Sequence, residues 1–350
     1  MAQSAVTGGP ADTVRGAPCL ITGASGFIGG RLAQRMARAG RAVRCLVRAS
    51  SDTTALRGLD VELAVGDLTS ARSLADAVAG CSNVVHCAAL VSDWCTRAEI
   101  VSANVHGTRN LLDVAADASV ERFIHLSSTD VYGHPGAAQV HETHVARGFA
   151  NWYAQTKLDA EAQVRRVVAE RALRAVILRP ATVYGPGSVD VVGEIARAIR
   201  ARTMLLIDGG RAIAGLCYVE NLLDAVELAL ASERAPGEAF NVSDGLDVTW
   251  RRFTDDLAEG LGCPPVRWSL PYPLANAIGV SLEHGYRLLR TATGVSAPAL
   301  LSRQAVQVLG RDQDFSTAKA REMLGWEPRV DYHAGLAATL AWLREDHLGR

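Results

Sequence analysis

Residues 20–40, LITGASGFIGGRLAQRMARAG, restrict the fold more than any other stretch of the chain. An apolar run of strand character ends in a turn carrying Gly23, Gly26 and Gly29, and a helical pattern follows with Ile28, Leu32 and Met36 on one stripe. Gly40 closes that helix, and AVRCLV resumes strand character directly after it. Strand, glycine turn, helix and strand in this order form one crossover unit of a parallel sheet. The glycines permit a tight turn, close approach of the backbone to a phosphate, and close packing of helix on strand. The free amides at the helix start face negative charge. The stretch therefore reads as a pyrophosphate-binding turn for a dinucleotide, built from Gly23, Ser25, Gly26, Phe27, Ile28 and Gly29.

The same rhythm continues through PCLIT, AVRCLV, VELAV, NVVHCAA, RFIHLSS and RAVILRP, then weakens after Pro180. The expected fold is α/β, a Rossmann-type doubly wound parallel sheet with a smaller C-terminal substrate-binding lobe. Residues 17–184 form the dinucleotide core, 210–245 return to it, and 185–209 with 246–350 form the lobe. Residues 1–16 are small and polar, lack a basic start and an apolar stretch, and read as a disordered tail rather than a signal peptide.

Charge excludes some partners. With 36 Lys+Arg against 37 Asp+Glu, the net charge of -1 leaves no footprint for nucleic acid. No apolar run is long enough for a transmembrane segment, since charges such as Glu283 interrupt the longest candidates. The seven cysteines form no C-x-x-C pair and lie mostly in apolar runs, as expected of thiols in a reducing cytoplasm. HETH (His141 to His144) offers two imidazoles but no third ligand at a recognisable spacing, so no metal is expected.

Where the second strand ends, an acid usually holds the ribose hydroxyls of NAD. This chain reads CLVRASS, and Arg48 with Ser50 and Ser51 suits a 2′-phosphate, so NADP(H) is expected over NAD(H), with Asp52 nearby keeping NAD possible. In VGDL, Asp67 ends the third strand where it can accept from an adenine amine, with Leu68 beside it. Ala88 and Ala89 of HCAA are small enough to let a cofactor lie against the fourth strand.

The fifth strand ends in SSTDVYG, and Ser128 lies twenty-five residues before Tyr153, itself four before Lys157 on a helical run. TGASGFIG, SSTDVYG, YAQTK and RPATVYGPG, in that order, resemble the extended short-chain dehydrogenase/reductase family over roughly residues 18 to 345. The resemblance implies catalysis by Ser128, Tyr153 and Lys157, with Asn104 of NVHGTRNLL supporting the lysine. Physically, an ammonium near a phenol, together with the positive nicotinamide, favours the phenolate and makes Tyr153 a usable acid/base. Ser128 would hydrogen-bond the substrate oxygen, Tyr153 and Lys157 would also touch the cofactor, and Pro180 and Val183 would wall the nicotinamide.

The triad also serves epimerases and dehydratases. Sugar-nucleotide enzymes of the family commonly carry Arg-Asp before the strand matching LCYVEN, where this chain has Ala214 and Gly215. They also place an asparagine soon after YGPG, where this chain reads SVDVVGE. Dehydratases carry Asp-Glu after the catalytic hydroxyl, and here the pair is Thr129-Asp130. Leu274, Ile278, Leu282, Tyr286 and Leu289 fall on one helical stripe that would either cap the core or wall the site. SLPYPLANA, LLSRQAVQVLGRDQDFSTAKAREMLGWEP and AWL look like the 3β-hydroxysteroid dehydrogenase-like branch. The expectation is a cytoplasmic, NADP(H)-dependent oxidoreductase interconverting a secondary alcohol and a ketone on a hydrophobic substrate. A nucleotide-sugar 4-epimerase or reductase using bound NAD is the alternative. The family resemblance further implies a homodimer through helices near 100–117 and 153–170.

Overall fold

The computed structural model of the chain describes residues 16–92, 95–145, 152–293 and 302–345. Apart from Gly16, the tail expected at 1–16 lies outside the described residues. The central sheet is parallel throughout and is built from β1 (Cys19–Thr22), β2 (Val43–Val47), β3 (Glu62–Val65), β4 (Asn83–His86), β5 (Arg122–Leu126) and β6 (Ala175–Pro180). Three further strands, β7 (Thr182–Tyr184), β8 (Leu206–Ile207) and β9 (Leu216–Tyr218), lie outside it, and β10 (Ala239–Val242) completes its edge. The order is β10-β6-β5-β4-β1-β2-β3. From β1 the chain winds outward to β2 and β3, then crosses back to β4 on the other side of β1. Ligands of open α/β sheets bind beyond the carboxyl ends of the strands at such a reversal.

Alternation along the strands sorts the helices into two layers. Cys19, Ile21, Ile124, Leu126, Val176 and Leu178 share a core with Leu32 and Met36 of α1 (Phe27–Arg38). Leu20, Phe123, Ala175 and Ile177, one residue out of phase, meet Leu74 of α2 (Ala71–Val78). A short α3 (Arg97–Val101) leads into α4 (Gly107–Asp117), whose Leu111 joins the second core, as does Val164 of α5 (Trp152–Arg171). Strands covered on both faces are apolar at nearly every position, hence the continuous runs in the sequence.

A second core gathers β8 paired with β11 (Ser269–Leu270), α6 (Glu194–Arg200) and α8 (Trp250–Gly260), and the β7–β9 pair joins it although its residues fall within 17–184 and 210–245. Between them in sequence, α7 (Val219–Ala231) returns to the first core through Leu222 and Val226. After α9 (Tyr272–Thr293) and α10 (Arg303–Gly310) come α11 (Ala318–Leu324) and α12 (Tyr332–Glu345). Trp250, Phe253, Tyr332 and Leu336 fill the lobe's centre. Ala320, Leu324 and Trp326, although within 246–350, pack into the sheet-side core. A seven-residue helix is too short for its periodicity to reveal which layer it joins.

On α9, Leu274 and Leu282 do not cap the core, and Ile278 is half-buried. Leu274 and Leu282 are 50% and 39% exposed, while Ala275, Gly279 and Glu283 form the buried face. The side chains of Tyr286 and Leu289 lie outside the described residues. Small size decides the packing, because a Cβ on Gly279 would already stand 3.3 Å from the Arg303 backbone. Among the described residues, no helix is long and apolar enough to cross a membrane, and no group of three His, Cys, Asp or Glu is placed to hold a metal ion. Cys19, Cys45, Cys81, Cys87, Cys217 and Cys263 are free thiols.

Candidate active site

At the β1/β4 reversal the backbone itself forms a cradle. Gly23 has φ +69°, and a Cβ there would stand 2.7 Å from the Ala88 amide nitrogen. A Cβ on Gly29 would stand 2.7 Å from the carbonyl carbon of Gly23, so both glycines are needed for turn, strand and helix to meet. Helix α1 starts at Gly26 with no side-chain cap and no acid in its first turn. Its amides and dipole are thus available to an anion. A cleft of about 470 Å³ opens here, lined by Gly23, Ser25, Gly26, Arg48, Asp67, Leu68, Ala88 and Ala89. This volume, the uncapped helix end and the glycine surfaces fit a dinucleotide.

Phe27, Ile28 and Gly29 support the cradle from behind. Phe27 lies against Gly187, Ile28 packs on the sheet core and Gly29 is buried. Thr69, Leu90, Glu99 and Ser102 also line the cleft and were not legible as site residues. Glu99 illustrates why: with Thr96 it forms the capping box of α3, a signal that reads only as a helix start.

Arg48 is exposed at the end of β2, its amide donating to Ser51 Oγ (3.1 Å), and both residues border the cleft. Asp67 accepts from the Thr69 hydroxyl (2.6 Å) and amide (2.8 Å). These bonds, with attraction from Arg48, hold its carboxyl below the usual range. Asp52 accepts from the Thr54 amide (2.8 Å) in the following turn and does not border the cleft.

The second group of residues assembles beyond the end of β5. Ser128 is half-buried, accepts from the Asp130 amide (3.1 Å) and lies near enough to Tyr153 to act on its phenol. Lys157 is almost fully buried. Its Nζ donates to the Leu126 carbonyl (2.7 Å) and lies 5.8 Å from the centre of the Tyr153 ring. Burial lowers the lysine to about 8, opposed by Cys87, Glu161 and Asp130. Burial and the Asp130 carboxylate drive Tyr153 well above its ordinary value, opposed by the Ser128 hydroxyl. The Lys157 ammonium lies beneath the ring and is turned into a backbone carbonyl. Pro180, buried at the end of β6, and Val183, half-buried between the two cores, lie outside the dinucleotide cleft.

Asn104 sits in a widened π turn at 102–106. Its Oδ1 accepts from the Leu90 amide (2.7 Å), and its Nδ2 donates to the Leu90 carbonyl (3.0 Å) and to Thr156 Oγ1 (3.2 Å). It therefore joins the cleft wall to α5 one residue from Lys157.

A buried ion pair holds α5 from below. Arg179 on β6 gives Glu161 two parallel hydrogen bonds, Nε to Oε1 at 2.8 Å and Nη2 to Oε2 at 2.6 Å, and Ser127 Oγ donates to Oε1 at 2.6 Å. Burial opposes a charge on Glu161, but the arginine outweighs it and keeps the carboxyl below its ordinary range. Because Ser127 adjoins Ser128, this pair fixes α5 to the strand end that carries the serine.

Known proteins share these features. The sequence pattern of the NAD dependent epimerase/dehydratase family matches residues 19–243. The 4-hydroxy-2-methyl-3-oxo-4-farnesyl-3,4-dihydroquinoline-1-oxide ketoreductase of Stigmatella aurantiaca is 34% identical, over 91% of this chain and 94% of its own length. A 3 beta-hydroxysteroid dehydrogenase/Delta 5-->4-isomerase of Mycobacterium tuberculosis is 31% identical, over 92% of this chain and 89% of its own. Among solved structures, MoeE5 in complex with UDP-glucuronic acid and NAD superposes with a TM-score of 0.72 over 93% of this chain and 99% of that one, at 26% identity.

Proposed function

We propose that this chain, which belongs to the NAD dependent epimerase/dehydratase family and to its 3β-hydroxysteroid dehydrogenase-like branch, uses NADP(H) to interconvert a secondary alcohol and a ketone on a hydrophobic substrate. The observation that carries the reading is the meeting of Ser128, Tyr153 and Lys157 beyond the end of β5, with the buried Lys157 Nζ 5.8 Å from the centre of the Tyr153 ring. When bound, the nicotinamide cofactor would supply or take up hydride. Tyr153, held protonated by its surroundings, donates its proton to a carbonyl oxygen in reduction and recovers one in oxidation. Ser128 steadies the same oxygen as charge develops on it. Lys157 keeps a positive charge beneath the phenol at neutral pH, and so lowers the cost of the transient phenolate. Asn104 positions α5 against the cleft wall.

Two observations support the hydrophobic substrate over a nucleotide sugar. Ala214 is fully buried, and a Cβ on Gly215 (φ +59°) would collide with Gln313, so the segment faces the C-terminal chain rather than a diphosphate. The relatives named as a farnesylated-quinoline ketoreductase and a hydroxysteroid dehydrogenase act, by those names, on bulky apolar molecules. With NADPH in excess, 3-oxosteroids and long-chain 3-oxo esters should consume absorbance at 340 nm, while UDP-glucose should give neither turnover nor a 4-epimer. Epimerisation of the sugar with tightly held NAD would establish the alternative. The free thiols accord with a reducing cytoplasm. A homodimer through α4 and α5 completes the proposal and is checked by light scattering.

Cofactor choice rests on Arg48. With Asp52 engaged in its own turn, the group at the end of β2 that borders the cleft is a cation beside a serine hydroxyl, which suits a 2′-phosphate. Arg48→Ala should weaken NADPH by about tenfold or more while leaving NADH within about twofold, the size of a lost charge-assisted hydrogen bond. Fluorescence titration of the two cofactors measures this, and equal losses would contradict the assignment.

A further inference from the structure

His86 ends β4 and is buried, and burial with the nearby Lys157 charge lowers it to about 3, so the ring is neutral. Each ring nitrogen meets a threonine: Nδ1 lies 2.7 Å from Thr22 Oγ1, and Nε2 lies 2.9 Å from Thr108 Oγ1. The surrounding bonds settle which tautomer is present. Thr108 spends its hydroxyl proton on the Asn104 carbonyl at 2.6 Å, so its oxygen must accept from His86 and Nε2 carries the hydrogen. Nδ1 is then bare and accepts the Thr22 proton, which leaves the Thr22 oxygen to accept from the Ala88 amide at 3.2 Å.

Each end of this chain of bonds reaches a working part of the site. At one end Thr22 and Ala88 line the dinucleotide cleft, and Ala88 abuts Gly23 of the glycine turn. At the other, Asn104, its carbonyl fixed by Thr108, holds Leu90 and Thr156, and the Thr156 hydroxyl donates to the Tyr153 carbonyl at 3.0 Å. We propose that His86 is a positioning residue that locks the cofactor cleft to the catalytic helix through a single tautomer, one nitrogen serving each side. The proposal rests on the reading of Tyr153 and the cleft given above. The imidazole acts by directing hydrogen bonds, and no proton moves through it during the reaction.

The two nitrogens make a test that a merely space-filling histidine would not pass. The oxygen of an Asn side chain overlies Nδ1 of a histidine, and the terminal amide nitrogen of Gln overlies Nε2. His86→Asn therefore keeps the acceptor for Thr22 and loses the donor to Thr108, and His86→Gln does the reverse. With His86→Asn, the Kd for NADPH by fluorescence titration should stay within about twofold, and amide hydrogen exchange across 152–160 should quicken about tenfold. With His86→Gln, NADPH binding should weaken about tenfold and exchange across 152–160 should stay within about twofold. Parallel change in both readouts, or change in neither, overturns the proposal. Thr22→Val and Thr108→Val cut the same two arms from their far ends and should reproduce His86→Gln and His86→Asn in turn, which decides the matter if the histidine variants fail to fold. Wild-type protein that bound neither NADPH nor NADH would overturn the cofactor arm together with the proposed function. Exchange across 152–160 would still decide the helix arm.

Discussion

Tyr153→Phe should lower turnover by about a thousandfold, within the usual range for losing a positioned general acid, while NADPH affinity stays within about twofold. The separation follows from the layout. The glycine cradle, Arg48 and Asp67 border one cleft, whereas Tyr153 stands on α5 beyond β5 and does not line it. Phenylalanine keeps the ring over the Lys157 ammonium, so Lys157 retains its bond to the Leu126 carbonyl and the packing under α5 is undisturbed. What is removed is one hydroxyl and its proton. Steady-state rates with the ketone found active in the 340 nm assay, beside a cofactor titration, test this. Retained turnover would remove Tyr153 from the mechanism.

Glu161→Ala should destabilise the fold by about 3–5 kcal/mol, because it leaves the Arg179 guanidinium buried without its partner. Arg179 has other contacts, a 2.7 Å bond to the Tyr132 hydroxyl and a 3.0 Å bond to the Glu142 carbonyl, but neither neutralises its charge. Replacing both members of the pair with apolar residues of similar volume should cost less than the single change, since no unpaired charge remains. The carboxyl is held below its ordinary range in the folded chain. Its contribution is therefore fully present above the unfolded carboxyl pKa of about 4.3, and is lost as pH falls through the lower folded value. Denaturant titration at pH 7 and at pH 3 reads both effects. A loss under about 1 kcal/mol at pH 7 would mean that Glu161 is dispensable to the buried network.

The dinucleotide cleft was largely legible in the chain because its parts are local. Gly23, Gly26 and Gly29 lie within seven residues, and their duties belong to one turn and one helix start. Tyr153 and Lys157 were likewise visible as a pair, since a spacing of four puts them on one helical face whatever surrounds the helix. Where the ammonium points was not visible, because Lys157 finds a strand-end carbonyl thirty-one positions away in sequence. The buried face of α9 was hidden for a related reason. Periodicity names a face but not the neighbour, and the close approach of α10 selected Ala275 and Gly279 over the leucines.

By itself, then, the sequence determined the crossover units, the glycine turn with its exposed amides, and the helix on which Tyr153 and Lys157 stand four apart. All of these follow from backbone geometry over a few residues. Tertiary structure alone decided that Ser128 meets Tyr153, that Ala88 rests on Gly23, that Glu161 pairs with Arg179 and that His86 binds Thr22 and Thr108 with opposite polarity. Those contacts join elements whose adjacency is set by the strand order β6-β5-β4-β1, and hydrogen-bond direction is settled only when every donor in a buried set has found its acceptor.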